Sequence, residues 1–156
     1  MGIGGKDTPQ VVAPPPLIFL AFLVVGFLLY GLWPLPFAIG IGYDILGVLL
    51  IVVPIAIAIW ARNLFIRAGT NVEPYKPTTA IVDQGPFAYS RNPLYLCLFV
   101  LYLGIALLTG NGWLLPLSVP LFFIMLYGVI LREERYLETK FGEAYLAYKR
   151  RVRRWL

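Results

Sequence analysis

The chain has 156 residues, of which 60% are hydrophobic and only 13% are charged, with a formal net charge of +5. Soluble domains carry about a quarter charged residues, and so short a chain cannot bury this much apolar surface within itself. We therefore exclude a soluble globular enzyme, a disordered chain and a disulfide scaffold, and expect the apolar excess to face lipid. The single cysteine and the absence of histidine exclude an intramolecular disulfide, a metal site built from cysteines or histidines and a His-based catalytic triad.

Apolar runs and turn residues divide the chain into five segments. We predict a flexible, Gly- and Pro-rich tail over residues 1–16 and a first transmembrane hairpin over residues 17–60, with its turn at Pro-Leu-Pro. A polar connecting segment occupies residues 61–93, and a second hairpin occupies residues 94–131, with its turn at Gly-Asn-Gly. Residues 132–156 repeat apolar positions at helical spacing, which predicts an amphipathic helix with any bend at Gly142. The predicted fold is thus an all-α integral membrane protein with four transmembrane helices and a C-terminal amphipathic cytoplasmic helix.

The basic residues predict the orientation of this bundle. Of the 13 Lys and Arg, one lies in the N-terminal tail, four in the connecting segment and eight in the C-terminal tail, while both hairpin turns have none. The positive-inside rule then places both termini in the cytoplasm and the spans in the inner or plasma membrane. We interpret the excess of basic residues as a signal of membrane orientation and expect no nucleic-acid partner. The first apolar run lacks a small-residue cleavage site and a second run follows at once, which excludes a cleaved signal peptide.

One polar cluster, residues 85–95, leads into the third span with the sequence Gly-Pro-Phe-Ala-Tyr-Ser-Arg-Asn-Pro-Leu-Tyr. Pro93 keeps the preceding residue out of helical geometry, so a helix start there offers free N–H groups beside Arg91 and Asn92. Such a start can receive a carboxylate or a phosphate. The alternative is that Arg91 and Tyr95 only anchor a helix at the membrane interface.

A second cluster, Arg-Glu-Glu-Arg at residues 132–135, follows the fourth span. Adjacent residues on a helix point about 100° apart, so one carboxylate can face the bundle while the other faces water. The inward carboxylate could bind a cation or ribose hydroxyls, or orient Arg91. The alternative is a solvated run of charges that ends a span.

Asp44 is the one charged residue within the predicted spans. A carboxylate at the centre of a span costs about 2.5–3.5 kcal/mol on insertion scales, so it points to function, for instance as a coupling group in a transporter. The alternative is that Asp44 lies close enough to the start of its span to reach the outer interface beside Tyr43.

Together, the two clusters resemble the signature of a family of integral-membrane methyltransferases that includes isoprenylcysteine carboxyl methyltransferases and phospholipid methyltransferases. The first half is Gly-Pro-Phe at 85–87 with Tyr-Ser-Arg-Asn-Pro-Leu-Tyr at 89–95. The second half is Glu133-Glu134, followed at matching spacing by Leu137, Phe141-Gly142, Tyr145, Tyr148 and Val152. The resemblance covers about residues 80–154, roughly half of the chain.

The resemblance implies an S-adenosylmethionine-dependent methyltransferase, with the cofactor at the cytoplasmic ends of the last spans and a lipophilic substrate that enters from the bilayer. It places Arg91 and one of Glu133 or Glu134 nearest the transfer centre, and we take Arg91 and Glu134 as the catalytic candidates. The implied cofactor-binding residues are Gly85, Pro86, Phe87, Tyr89, Asn92, Pro93, Tyr95, Glu133, Tyr145 and Tyr148. Isoprenylcysteine-type members usually have His at the position of Asn92. Since Asn cannot act as a base, this departure argues against prenylcysteine as the substrate.

Methyl transfer is compatible with a chain that lacks histidine, because an in-line displacement needs alignment and a dry pocket more than a strong base. Arg91 could orient a carboxylate acceptor, and Glu134 could take the proton of an amine. Our leading hypothesis is a methyltransferase for a small lipophilic or lipid-like acceptor with a carboxylate, thiol or amine. The alternatives are a four-helix transporter or channel that uses Asp44, and a structural membrane partner with a degenerate site. The sequence leaves the acceptor and the oligomeric state open.

Overall fold

The computed structural model describes residues 7–37 and 40–156, and within these ranges the chain is helical, with no β-sheet. The predictions that fall on residues 1–6 and 38–39 lie outside the described residues. The helices in chain order are α1 Pro15–Leu32, α2 Ile41–Arg67, a 3-10 turn at Gly85–Ala88, α3 Pro93–Thr109, α4 Leu114–Met125, a π-helical turn at Leu126–Ile130, α5 Leu131–Phe141 and α6 Glu143–Arg151.

Three helices of the described chain are long and apolar enough to cross a membrane. They are α1, α2 and the continuous helix Leu114–Phe141, which α4, the π-helical turn and α5 form together, whereas α3 is a shorter apolar helix of 17 residues. Large apolar side chains on α2 such as Val52 and Ile59 are more than half exposed, as expected for a lipid-facing surface. The predicted all-helical class is confirmed, with three helices suited to crossing a membrane, and the four-span hairpin arrangement stays a prediction.

The C-terminal region differs from the single amphipathic helix predicted over residues 132–156. The helix that begins at Leu114 continues through the charged cluster to Phe141, since residues 131–141 are mostly strong helix formers. It ends at Gly142, whose φ of 53° suits glycine far better than other residues. The chain then continues as α6, and a Lys149–Glu138 ion pair joins α6 to α5. The break therefore lies at the predicted glycine, but it separates two helices.

The described part of the N-terminal segment, for which the sequence predicts a flexible tail, contacts the last long helix. The Val12 N–H donates to the Gly128 carbonyl at 3.0 Å, and Arg132 Nη1 donates to the Gln10 carbonyl at 2.9 Å. An ion pair of 2.6 Å joins Asp7 to Lys140. Residues 7–14 therefore lie along the last long helix and bring the start of α1 to the end of the bundle that holds α5.

At the opposite end of the bundle, the two interhelical turns contact each other. Asn111 is fully buried, its Nδ2 donates to the Gly26 carbonyl at 3.0 Å, and its backbone pairs with Pro36. Asp44 lies at this end, exposed in the first turn of α2, where the helix dipole favours a carboxylate. This position fits the interface interpretation of Asp44 better than a coupling role inside a span.

α2 and α3 form the most extensive helix–helix contact, and two glycines allow their close approach. A Cβ atom at Gly104 would lie 2.8 Å from the Leu50 backbone carbon, and one at Gly47 would lie 3.0 Å from the Leu108 nitrogen. Small residues at such positions let two membrane helices pack backbone to backbone. This pair positions the start of α3 beside the end of α2.

We expect Gly104→Val to destabilise the protein, because the new side chain must displace the Leu50 backbone. Overpacking of this kind costs about 1–3 kcal/mol, which should lower the melting temperature in detergent by several degrees. The control is Gly31→Val in α1, where an added Cβ meets nothing within 4 Å. Equal melting temperatures for the two variants would contradict the close α2–α3 packing.

Candidate functional site

The 3-10 turn Gly85–Ala88 places the first polar cluster against α2. Gly85 has a φ of 58°, and a Cβ there would lie 2.7 Å from Leu64 Cδ1, so the turn needs glycine both for its backbone and for its approach. The Phe87 ring packs edge-on against Phe65 at 5.1 Å, and the Tyr148 hydroxyl donates to the Phe87 carbonyl at 2.8 Å. The turn is thereby fixed between α2 and α6.

A buried carboxylate held by two arginines lies at the centre of the site. Arg154 Nε and Nη2 donate to the two Glu134 oxygens at 3.0 and 2.9 Å, and Arg91 Nη2 lies 3.2 Å from Glu134 Oε1. The Arg91 and Glu134 side chains are each only 6% exposed. Burial of a carboxylate is costly unless it is paired and hydrogen-bonded. This cluster therefore ties the loop before α3 to α5 and to the end of the chain.

Only one of the three guanidinium nitrogens of Arg91 contacts Glu134. The Nε and Nη1 of Arg91 are buried and have no hydrogen-bond partner among residues 7–37 and 40–156. Buried donors on a charged group are rarely left unsatisfied, because the loss of hydration costs more than a neutral hydrogen bond gains. The two nitrogens could therefore donate to an acceptor group of a ligand.

The backbone near the C-terminus completes the loop before α3. The Arg91 N–H donates to the Arg153 carbonyl at 2.9 Å, while Asn92 Nδ2 and Ser90 Oγ donate to the Arg154 carbonyl at 3.1 and 3.2 Å. Asn92, a predicted ligand-binding residue, thus uses one amide donor to hold the end of the chain. The sequence did not single out Arg153 or Arg154, whose charges read only as part of the basic tail.

Glu133 is placed differently from its neighbour. Its Oε2 accepts a hydrogen bond of 2.6 Å from the Tyr95 hydroxyl. It lines both cavities of the site, whereas Glu134 lines only the smaller one. The two adjacent carboxylates therefore have distinct surroundings, as their helical spacing predicted.

Two cavities meet at this cluster. The larger has a volume of about 610 Å³, and its walls come from residues 14–17 and 20, from α2 and α3, and from residues 72–75. The smaller has a volume of about 60 Å³ and lies between the 3-10 turn, residues 78–82, α5 and α6. The residues that line both are Phe65, Phe87, Arg91, Asn92 and Glu133. The walls contributed by residues 14–17 and 72–75 were missed in the sequence, since neither segment contains a motif.

The structure brings together most of the predicted site residues but not all. Pro93 and Tyr95 line the larger cavity, and Tyr145 and Tyr148 line the smaller one. Three predicted residues line neither cavity, namely Gly85, Pro86 and Tyr89. Gly85 and Pro86 belong to the 3-10 turn, and Tyr89 is 74% exposed.

The tyrosines of α6 are neutral hydrogen-bonding groups at physiological pH. Burial raises the pKa of Tyr145 and the pKa of Tyr148 well above the ordinary value. The hydrogen bond to Glu134 raises the pKa of Arg154, so this guanidinium stays charged. The smaller cavity thus combines aromatic side chains with two carboxylates, Glu133 and Glu134, and with the guanidinium of Arg91.

Comparison with known proteins relates this chain to a protein family. The family model described as phospholipid methyltransferase matches residues 43–144. An uncharacterized protein from Haemophilus influenzae is 45% identical over 64 residues, which are 40% of this chain and all of that protein. A Protein-S-isoprenylcysteine O-methyltransferase from Schizosaccharomyces pombe is 36% identical over 76 residues, which are 46% of this chain and 30% of that protein. No solved structure matches.

The family match extends from α2 into the start of α6, so it spans the loop before α3 and both carboxylates. It covers more than half of the chain and confirms the resemblance seen in the two clusters. The chain belongs to the phospholipid methyltransferase family.

Proposed function

We propose that this protein is an S-adenosylmethionine-dependent methyltransferase that acts at the membrane on a lipophilic acceptor. The family and the isoprenylcysteine methyltransferase relative support methyl transfer. The observation that carries the proposal is the place of Arg91, whose two free buried donors lie where a small aromatic cavity meets a large apolar one.

The residues present suit the methyl donor. Its carboxylate would take the free Nε and Nη1 of Arg91, beside the Asn92 amide. Aromatic residues of the smaller cavity, Phe87, Tyr145 and Tyr148, would contact the rest of the molecule. The smaller cavity is too small for the whole donor, so Pro93, Tyr95 and Glu133 of the larger one would complete its surroundings.

When bound, S-adenosylmethionine supplies a methyl group on a positively charged sulfur. The residues around Arg91 would orient an acceptor against that group and keep water away, which is what an in-line displacement requires. The apolar side chains of the larger cavity, among them Leu20, Leu98 and Leu101, would hold the lipophilic part of the acceptor. The polar end of this cavity is formed by Arg91 and Glu133, which would therefore lie nearest the reacting atoms.

The two carboxylates suit different roles. Both oxygens of Glu134 are engaged by Arg154, and Glu134 does not line the larger cavity. Glu133 lines that cavity and has the Tyr95 hydroxyl as its hydrogen-bond partner. For an amine acceptor, we therefore assign proton acceptance to Glu133 and a structural role to Glu134. A carboxylate acceptor would need no proton acceptor, because it is already ionised at physiological pH.

We further propose that α3 crosses the membrane with the other three long helices, with both termini in the cytoplasm. A helix of 17 residues spans about 26 Å, close to the thickness of a thin bilayer. All 13 Lys and Arg lie in the segments before α1, between α2 and α3, after α4, or at the adjoining helix ends. Asp44 lies at the opposite end, so nothing about it favours the transporter.

We expect the purified protein in lipid nanodiscs to bind S-adenosylhomocysteine, the product form of the donor, and Asn92→Ala and Glu134→Ala to weaken this binding about tenfold or more. Glu134→Ala removes the carboxylate that pairs with Arg91, and Asn92→Ala removes an amide that lines both cavities and holds the Arg154 carbonyl. Hydrogen bonds to charged groups are worth about 1.5–3 kcal/mol, which corresponds to the expected loss of affinity. Calorimetry measures the affinities. The control is Glu143→Ala, which removes an exposed carboxylate from the surface of α6. Absence of binding by the folded wild-type protein would overturn the proposed function.

We expect Leu101→Trp to block methyl transfer while it leaves donor binding intact, because the indole would fill the apolar part of the larger cavity. The assay incubates the protein with labelled S-adenosylmethionine and a lipid extract of cells that naturally contain the protein, and it measures the label that enters lipid. The control is Leu103→Trp, on the exposed side of α3 and outside the cavity. Equal transfer by the two variants would show that this cavity does not hold the acceptor.

A further inference from the structure

We propose that Arg154 is a positioning residue for the methyl donor. By occupying both oxygens of Glu134, Arg154 keeps two donors of Arg91 free for the donor's carboxylate. This inference rests on the proposed function and adds to it a residue outside the two sequence clusters.

The geometry around Glu134 shows an unequal sharing of one carboxylate. Arg154 approaches it with two parallel nitrogens, Nε to Oε1 at 3.0 Å and Nη2 to Oε2 at 2.9 Å. This two-pronged arrangement is the strongest that a guanidinium and a carboxylate can form. Arg91 approaches only Oε1, with the single nitrogen Nη2, at 3.2 Å.

As a consequence, the Arg91 guanidinium is anchored by one nitrogen, and its hydrogen-bonding capacity is not used up. Nη2 anchors it to Glu134, while Nε and Nη1 are buried and unpaired within the part of the chain that the structure describes. If the Arg154 side chain were absent, Glu134 would be a buried carboxylate with Arg91 as its one ion-pair partner in the described chain. Arg91 would then form the two-pronged pair itself, and its free donors would be lost to the donor's carboxylate.

The role of the Arg154 side chain can be tested without loss of the backbone contacts that residues 153 and 154 make. The Arg154 side chain is 35% exposed, so its removal leaves no large internal void. Its backbone carbonyl accepts the hydrogen bonds from Asn92 and Ser90, and those bonds survive truncation of the side chain. The neighbouring Arg153 likewise contributes its carbonyl to Arg91, and its side chain is exposed. Arg153→Ala is therefore a matched control for Arg154→Ala.

The experiment compares two ligands that differ only in the carboxylate, S-adenosylmethionine and decarboxylated S-adenosylmethionine, by calorimetry on the full chain in nanodiscs. We expect the wild-type protein and Arg153→Ala to bind the carboxylate-bearing ligand about tenfold more tightly or better, the worth of one charge-assisted hydrogen bond. Arg154→Ala should lose most of this preference, while its affinity for the decarboxylated ligand changes less than about twofold.

A second variant distinguishes competition between Arg91 and Arg154 for Glu134 from a general disturbance of the site. In Arg154→Ala/Glu134→Gln, the amide has a single acceptor oxygen, so it can anchor Arg91 by one nitrogen but cannot form the two-pronged pair. The other donors of Arg91 then stay available, and we expect the preference for the carboxylate-bearing ligand to rise again above that of Arg154→Ala.

Three results would overturn the inference: an unchanged preference in Arg154→Ala, an equal loss for both ligands, or no recovery in the double variant. Equal binding of the two ligands by the wild-type protein would also overturn it, yet would leave the proposed function standing. If the folded wild-type protein bound neither of the two ligands, both the inference and the proposed function would be overturned.

Discussion

The site depends on one buried carboxylate shared by two arginines. Glu134 joins Arg91 of the loop before α3 to Arg154 near the chain end, and the backbone of residues 153 and 154 closes the same junction. A buried ion pair contributes little net stability but is costly to break, because the remaining charge is left without a partner. The cluster therefore acts mainly to specify where each element lies. It also leaves Arg91 charged, buried and incompletely satisfied, and this is the property from which the proposed chemistry follows.

The position of this cluster is set by the membrane helices. Close packing of α2 and α3 through Gly47 and Gly104 brings the end of one helix beside the start of the other. Polar groups gather at this end, where a cavity of about 610 Å³ with mostly apolar walls meets a smaller one with aromatic walls. A water-soluble methyl donor and a lipophilic acceptor have opposite solvent preferences. A site at the boundary between the charged and the apolar parts of the bundle can receive both.

The sequence predicted the helical membrane class because long apolar runs have few alternatives in lipid. It also placed Arg91 and the Glu133-Glu134 pair at the same end of the bundle, from the positions of the helix ends, but it left open which of the two carboxylates faces Arg91. What it could not predict depends on irregular backbone and on contacts between distant residues. Arg154 returns to Glu134 only because the chain breaks at Gly142, and no periodic pattern encodes that return. Tyr89 was predicted in the site because it lies within the motif, yet the turn at Gly85–Ala88 leaves it exposed. The packing of residues 7–14 on the last long helix had no signal in the sequence either, since it joins groups that lie more than 100 residues apart.

The most direct test of this account is an experimental structure of the protein in lipid with S-adenosylhomocysteine bound. We expect the ligand's carboxylate within hydrogen-bonding distance of Arg91 Nε and Nη1, with the Glu134–Arg154 pair intact and the larger cavity open to an acceptor. A ligand bound elsewhere, or bound with its carboxylate away from Arg91, would contradict the account.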